Sequence, residues 1–310
     1  MINKELLGSD MRILDMIASM PEIPKGVAVN VRKNGEKALR SITENVDIRT
    51  KEDGKGIDII IKPNTKGEKV YIPVILTESG LKETVANDFI VGNGAEVEIV
   101  AGCGICNSGS CGESSHSGVH TFKIGDNCKV KYVEKHYGEG NGQAVMNPST
   151  VIMLGKNSVF DMESSQIRGI NSTVRNTVAY LAEEARMNVS ERLVTHGEQV
   201  AKSDMEVFLN GKGSSLQIVS RSVAQDKSSQ MFHPKAVGNT ACNAHIQCDA
   251  IIMDEAAVGS IPEIQANSAE ASIIHEAAIG RINNEQLLKL QSLGLTAEEA
   301  EAVIIEGFLS

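Results

Sequence analysis

The sequence predicts a mainly β protein organised as a β-solenoid, and three observations carry that reading. The first is composition: the 310 residues include 28 Gly, ten aromatic residues and no Trp. Such a mixture, rich in Val, Ile, Ala, Ser and Asn, suits many strands with tight turns better than a helical bundle built on large side chains. The second is a succession of strand-like runs from Ile57 onward: Ile57 to Lys62, Val70 to Leu76, Glu96 to Val100 and His120 to Ile124. The third is a degenerate repeat in which a strand ends on an apolar residue, turns through Gly and Asn, and starts again. Its copies are Val91-Gly-Asn-Gly-Ala-Glu-Val97, Ile124-Gly-Asp-Asn-Cys-Lys-Val130 and Leu154-Gly-Lys-Asn-Ser-Val-Phe160, with Gly92, Gly125 and Gly155 spaced by 33 and 30 residues. Looser echoes follow at Glu183-Glu-Ala-Arg, Asn210-Gly-Lys-Gly and Asp254-Glu-Ala-Ala. Stacked coils need a period of this size, because each coil buries its inward residues only against its neighbours. An antiparallel sandwich is the competing architecture, but its hairpins call for more regular two-residue turns than the chain contains.

The elements follow in order. Ser9 reads as the N-cap of a short helix with Ile13, Leu14 and Ile17 on one face, stopped by Pro21. Gly26 to Arg32 alternates like a strand, and Glu36 to Ile42 reads as a helical turn or two. At the other end, Asn283-Asn284 caps a helix carrying Leu287, Leu290 and Leu293, which Gly294 ends. Thr296 and Glu299 then form a capping box for a second helix with Ala300, Val303 and Ile304 on one face. The division is a mixed segment over residues 1–55, a solenoid core over 56–282 and a helical hairpin over 283–310.

A formal charge of −10 argues against nucleic acid or an anionic membrane surface as partner, since both require clustered Lys and Arg. The last helix is acidic and lacks Lys and Arg, which separates the hairpin from a DNA-reading helix-turn-helix. No apolar run approaches the ~18 residues of a membrane span, and the N-terminus lacks the features of a signal peptide. A cytoplasmic protein is expected. No G-x-x-x-x-G-K-S/T phosphate loop occurs, so the chain does not itself look like an ATPase.

Six cysteines in a reducing compartment direct attention to metal, redox or packing roles. Cys128 and Cys242 have no neighbour that would lower their pKa, and they read as packing residues. His136, His196 and His233 read as strand-edge or loop residues. Two constellations remain. Cys103, Cys106 and Cys111, set among glycines and followed by His116 and His120, have the donor types for zinc or a cluster, although no second C-x-x-C completes a zinc ribbon. The other reading of this stretch is a Gly/Ser-rich connection with incidental thiols. Cys248, His275 and Glu276 offer a thiolate, an imidazole and a carboxylate, and a period near thirty can bring residues 27 apart onto adjacent coils. Spacing alone equally allows a buried small Cys248 and a surface His275.

The C-terminal third resembles the SufB/SufD family, the scaffold components of the SUF iron–sulfur assembly system. The resemblance rests on Ile246-Gln-Cys-Asp-Ala-Ile-Ile-Met253, on Pro262-Glu-Ile-Gln-Ala266 leading to Ile274-His-Glu-Ala-Ala-Ile-Gly-Arg-Ile282, and on the ending from Asn283 to Leu309. It extends loosely back to about residue 90. It implies a right-handed parallel β-helix, followed by a helical segment that docks an ABC-type ATPase. Cys248 and Glu276 match residues that SufB-like members use for the cluster, and His275 is shared more widely. The short N-terminus is similar to compact members of two-component systems, which implies a homodimer. The stretch from Cys103 to Cys111 has no counterpart in the resemblance.

The expected function is therefore that of a non-enzymatic scaffold that assembles a transient 2Fe-2S or 4Fe-4S cluster and passes it to apo-proteins. Its expected partners are an ABC-type ATPase, engaged through Leu287, Leu290, Leu293 and Phe308, a sulfur donor and acceptor proteins. Cys103, Cys106, Cys111 and His116 are expected as an auxiliary metal site. An accessory SufD-like subunit without its own cluster and a zinc-stabilised β-solenoid are the alternatives.

Overall fold

Along strands such as Lys82–Val91, Ser172–Leu181 and Val200–Leu209, burial alternates residue by residue, giving one inward and one outward row. The inward rows face one another across two packed sheets. The computed structural model describes residues 6–107 and 112–310. Its first helix is α1 (Gly8–Ala18), followed by β1 (Ala28–Lys33), β2 (Glu36–Ser41), β3 (Val46–Thr50), β4 (Gly56–Ile61), β5 (Lys66–Leu76) and β6 (Lys82–Val91). Next come β7 (Glu96–Asn107), β8 (Glu113–Ile124), β9 (Lys129–Gly140), β10 (Gln143–Met146), β11 (Ser149–Leu154), β12 (Val159–Arg168) and β13 (Ser172–Leu181). The later coils contain β14 (Arg186–Thr195), β15 (Val200–Leu209), β16 (Ser215–Ala224), β17 (Ser229–Gly238) and β18 (Cys242–Ile252). The chain closes with β19 (Ala257–Ser260), β20 (Glu263–Ala266), β21 (Ala271–Gly280), α2 (Asn284–Ser292) and α3 (Ala297–Leu309).

One sheet runs β2-β1-β5-β7-β9-β12-β14-β16-β18-β21, and the other runs β19-β17-β15-β13-β10-β8-β6-β4-β3. Strands alternate between the sheets, and like neighbours pair in parallel, as in Phe122 beside Phe89 on β8 and β6. The antiparallel pairs, β1 with β2 and β3 with β4, belong to the N-terminal end. The fold is a parallel β-solenoid two sheets thick. A core of small and branched side chains runs along its axis, with Phe89 and Phe122 stacked at a centroid separation of 4.3 Å.

The repeat seen in the sequence is a ladder of stacked turns. Asn64, Gly94, Asn127, Asn157 and Glu184 all have left-handed backbones, and each N–H donates to a carbonyl of the turn above: Asn93, Asp126, Lys156, Glu183 and Lys212. Asp254 belongs to a second ladder on the opposite edge, where Gly197 N–H donates to the Asp226 carboxylate and Asp226 N–H donates to that of Asp254. Its resemblance to the first ladder reflects the same turn chemistry at the other end of the strand.

Three local expectations change. The α1 helix begins before Ser9, because the Asp10 carboxylate accepts from the Leu7 N–H at 2.7 Å and so caps the first turn, while also pairing with Lys33. Glu36 to Ser41 is strand β2, hydrogen-bonded to β1, so its propensity gives way to sheet pairing. The Gly-rich stretch at 102–106 is the second half of strand β7, and its glycines serve the packing of α1. A Cβ on Gly102 would meet the Ile17 carbonyl oxygen at 2.3 Å, and one on Gly104 would meet Ile13 Cγ2 at 2.3 Å. The bare backbone lets Ile13, Leu14 and Ile17 seal the outer apolar face beside Val29, Val31 and Val100. Gly102→Val should therefore overpack this seam and destabilise the fold by about 1–3 kcal/mol. Urea denaturation checks it, and an unchanged midpoint would mean that α1 is not anchored at this seam.

The two ends of the solenoid differ. At the N-terminal end, α1 covers the outer face of the first sheet and β3 pairs back on β4. At the C-terminal end, β21 is a ten-residue edge strand with Ile274 and Ile279 exposed.

Candidate functional site

The period of two along β7 decides the fate of the N-terminal cysteines. Cys103 is inward and buried among Val74, Leu76 and Ile105, whereas Cys106 is outward and packs against the α1 cluster. Two thiols on opposite faces of one strand cannot hold the same ion, so the structure does not bring this pair together. Cys111 lies outside the described residues. Burial pushes the Cys103 thiol well up, with Glu83 and Glu134 reinforcing it. Burial, reinforced by Glu139 and opposed by Arg12, raises Cys106 to about 11.

Cys103 lies beside a polar interior that sequence reasoning missed. His136 pairs with Cys103 in register on β9 and is 3% exposed, so it is an inward residue and not a strand edge or loop. His116 and His120 point inward from β8, with His116 Nδ1 3.6 Å from Glu83 Oε2. Glu83 takes two hydrogen bonds from Arg32, at 2.6 and 2.9 Å. His120 Nδ1 is 2.8 Å from the Tyr132 hydroxyl, which donates to Glu134 at 3.1 Å. Burial drives the His120 pKa down to about 4, against an opposing pull from Glu134.

From Glu134 the polar row continues along the solenoid. Arg175 donates to Glu134 in a short charge-assisted bond and lies 3.7 Å from Glu191. Burial alone would raise the Glu134 pKa, but Arg175 and then His136 hold it well below the usual carboxylate range. Glu191 accepts from Ser203 at 3.2 Å and from Ser220 at 3.0 Å, and Ser220 sits in register beside Cys248. A line of buried polar side chains thus connects the histidine cluster to the last coil. The signal was present in the sequence as polar residues at inward positions, but the inward set is known only once the register is known.

At that last coil, Cys248 and His275 are both inward. His275 pairs in register with Ile246, one inward step from Cys248, whose own partner is Ala277. The His275 Nε2 atom is buried without a hydrogen-bond partner. Burial lifts the Cys248 thiol to about 11, partly offset by the Ser260 hydroxyl. Glu276 follows the alternation to the outer face, where it pairs with Gln247 and lies 3.5 Å from His245 Nε2. Within one chain the thiol and the imidazole therefore share a face, and the carboxylate does not.

The hairpin has the expected caps: Asn283 accepts from the Glu285 N–H, and Thr296 and Glu299 form the reciprocal box. It buries little of itself. Ala300 is its fully covered residue, Leu293 is 73% exposed, and Leu287, Leu290 and Phe308 are half-buried. The Arg221 guanidinium ties the final carbonyl, that of Ser310, back to β16. No helix among the described residues is long and apolar enough to cross a membrane.

Residues 76–308 match the family model described as SUF system FeS cluster assembly, SufBD core domain. A protein described as an iron–sulfur cluster assembly SufBD family protein from Methanocaldococcus jannaschii is 26% identical over 315 residues, covering 96% of this chain and 97% of that protein. A similarly described protein from Methanothermobacter thermautotrophicus is 27% identical over 241 residues, and one from Pyrococcus horikoshii is 30% identical over 205. The matched region covers 76% of this chain and 58% of the Methanothermobacter protein. For the Pyrococcus protein the shares are 63% and 60%.

Proposed function

The chain belongs to the SufBD family of the SUF iron–sulfur cluster assembly system, and from that premise we propose that it is the scaffold on which a cluster is built and then passed to apo-proteins. The observation that carries this reading is the placement of Cys248 and His275 on one inward face at the open end of the solenoid, with His275 Nε2 unpartnered. A thiolate binds iron firmly, while nitrogen and oxygen donors bind a cluster less firmly than further thiolates would. Such a mixed shell can load a 2Fe-2S or 4Fe-4S cluster and release it. Because burial keeps Cys248 protonated at neutral pH, iron must displace its proton, and loading rises with pH.

Glu276 enters the shell through a second copy. A ten-residue edge strand without proline is a template for pairing, and β21 presents exposed Ile274 and Ile279 along with Glu276. A homodimer joined there would set the outer-row carboxylate beside the junction of the two open ends. The ABC-type ATPase docks on the hairpin, where Leu288, Leu293 and Val303 stand exposed and Leu287, Leu290 and Phe308 are partly so. A sulfur donor and acceptor proteins complete the set of partners in the cytoplasm. The accessory, cluster-free reading is favoured by one fact, the outward position of Glu276 in the single chain.

Anaerobic reconstitution with iron and sulfide tests the proposal. Cys248→Ser is expected to lose the cluster, measured as bound iron, sulfide and visible absorption, while the combined Cys103/Cys106/Cys111→Ser variant keeps it. The opposite pattern overturns the site, and wild-type protein that acquires no iron and binds no ATPase overturns the scaffold reading.

A further inference from the structure

We propose that the solenoid interior contains a second metal site, separate from the C-terminal one: a divalent transition-metal ion held by His116 and His120 in the hollow over Gly118, with Cys103 as the third donor. The inward row of β8 reads His116, Gly118, His120, so two imidazoles flank a position that has no side chain. A Cβ at Gly118 would lie 3.1 Å from His120 Nε2 and 3.5 Å from His116 Nε2. Both nitrogens therefore face the same empty point. The backbone there is ordinary strand, so glycine is not demanded by conformation, and its absent side chain is what opens the hollow.

The far side of the His120 ring fixes which of its nitrogens is the acceptor. The Tyr132 hydroxyl donates to Glu134, so the 2.8 Å contact with His120 is donated by Nδ1–H, and Nε2 is the acceptor, met by a long 3.5 Å contact from the Asn87 amide that a metal would displace. His116 Nδ1 lies 3.6 Å from the Glu83 carboxylate, itself clamped by Arg32, and neither that nitrogen nor Glu83 Oε2 has a hydrogen-bond partner. A small rotation of the ring therefore lets Nδ1–H donate to Glu83 and turns Nε2 to the metal. A carboxylate behind the ring is the arrangement in which metal-bound histidines are found; here Glu83 stands behind His116, and Glu134 stands behind His120 through the Tyr132 hydroxyl. Cys103 lines the same cavity, whose volume of ≈ 20 Å³ holds one small ion or water. Asn87 lines it too, with a buried Oδ1 that has no partner. Among the described residues no three His, Cys, Asp or Glu side chains already stand at coordination distances, so binding draws the two rings and the thiol inward by rotation. Two imidazoles and a thiolate select a borderline-soft cation such as zinc, cobalt or ferrous iron over magnesium or calcium. The site does not depend on the scaffold reading and can be tested without cluster chemistry.

Cobalt is the probe. Chelator-treated, reduced protein titrated with Co²⁺ under anaerobic conditions should take up about one equivalent with tetrahedral ligand-field absorption and a thiolate-to-cobalt charge-transfer band. Gly118→Ala, which fills the hollow, and His116→Ala should each abolish the uptake with far-UV circular dichroism unchanged. Cys103→Ser should remove the charge-transfer band alone. Glu83→Gln should weaken cobalt about 10–100-fold, and Cys248→Ser should leave the spectrum intact. The proposal is overturned if wild-type protein takes up no cobalt, if folded Gly118→Ala and His116→Ala bind as wild type does, or if Cys248→Ser is the variant that loses the spectrum.

Discussion

Arg175→Met should destabilise the protein by roughly 3–5 kcal/mol, the effect of removing one partner from a buried ion pair. The guanidinium is buried in the solenoid between Glu134 and Glu191, at 4%, 3% and 7% exposure respectively. Methionine fills much of the volume but leaves two carboxylates facing each other without a cation. Their alternatives are protonation or admission of water, and each costs folding free energy. The network is worth less than the single variant suggests, because assembling it already required desolvating three charges. Combining Arg175→Met with Glu134→Gln and Glu191→Gln should therefore restore a large part of the loss. Denaturant midpoints for the three backgrounds check this. A single variant within 1 kcal/mol of wild type, about the worth of an exposed pair, would show that water reaches the interior row.

Metal-free protein should lose about 3 kcal/mol of stability from His120 alone between pH 6.5 and pH 4. The unfolded imidazole titrates near 6.5 and the native one, driven down by burial, at about 4. Between those values the unfolded chain binds a proton that the native chain refuses, so the contribution is complete above pH 6.5 and is lost as pH falls. His136, lowered by burial as well, acts in the same direction. Glu134 acts below that window: its native pKa is depressed, so its contribution persists above the ordinary carboxylate range and disappears only at lower pH. Urea midpoints at pH 7.5 and 4.5 measure the first step. His120→Gln should flatten it, and a slope as steep as that of wild type would assign the loss elsewhere.

The period-of-two strands, the turn ladder near thirty residues and the caps at Asn283 and Thr296 could all be read directly from the chain. Each of these features is local: alternation, a left-handed Asn or Gly, and a hydroxyl three residues before a glutamate all act within a few residues. The family, too, was legible, from the stretches around Cys248 and His275. What remained hidden depends on register and on faces meeting across the core. Glu36 to Ser41 became a strand because β1 offered it an edge. Cys103 and Cys106, three residues apart, separated onto opposite faces. His136, which read as a strand-edge or loop residue, lies inside because it pairs in register with the inward Cys103. Cys248 and His275 came together while Glu276, next in the chain, turned away, since a single step along a strand reverses the face of the sheet and only tertiary pairing says which face is the inside.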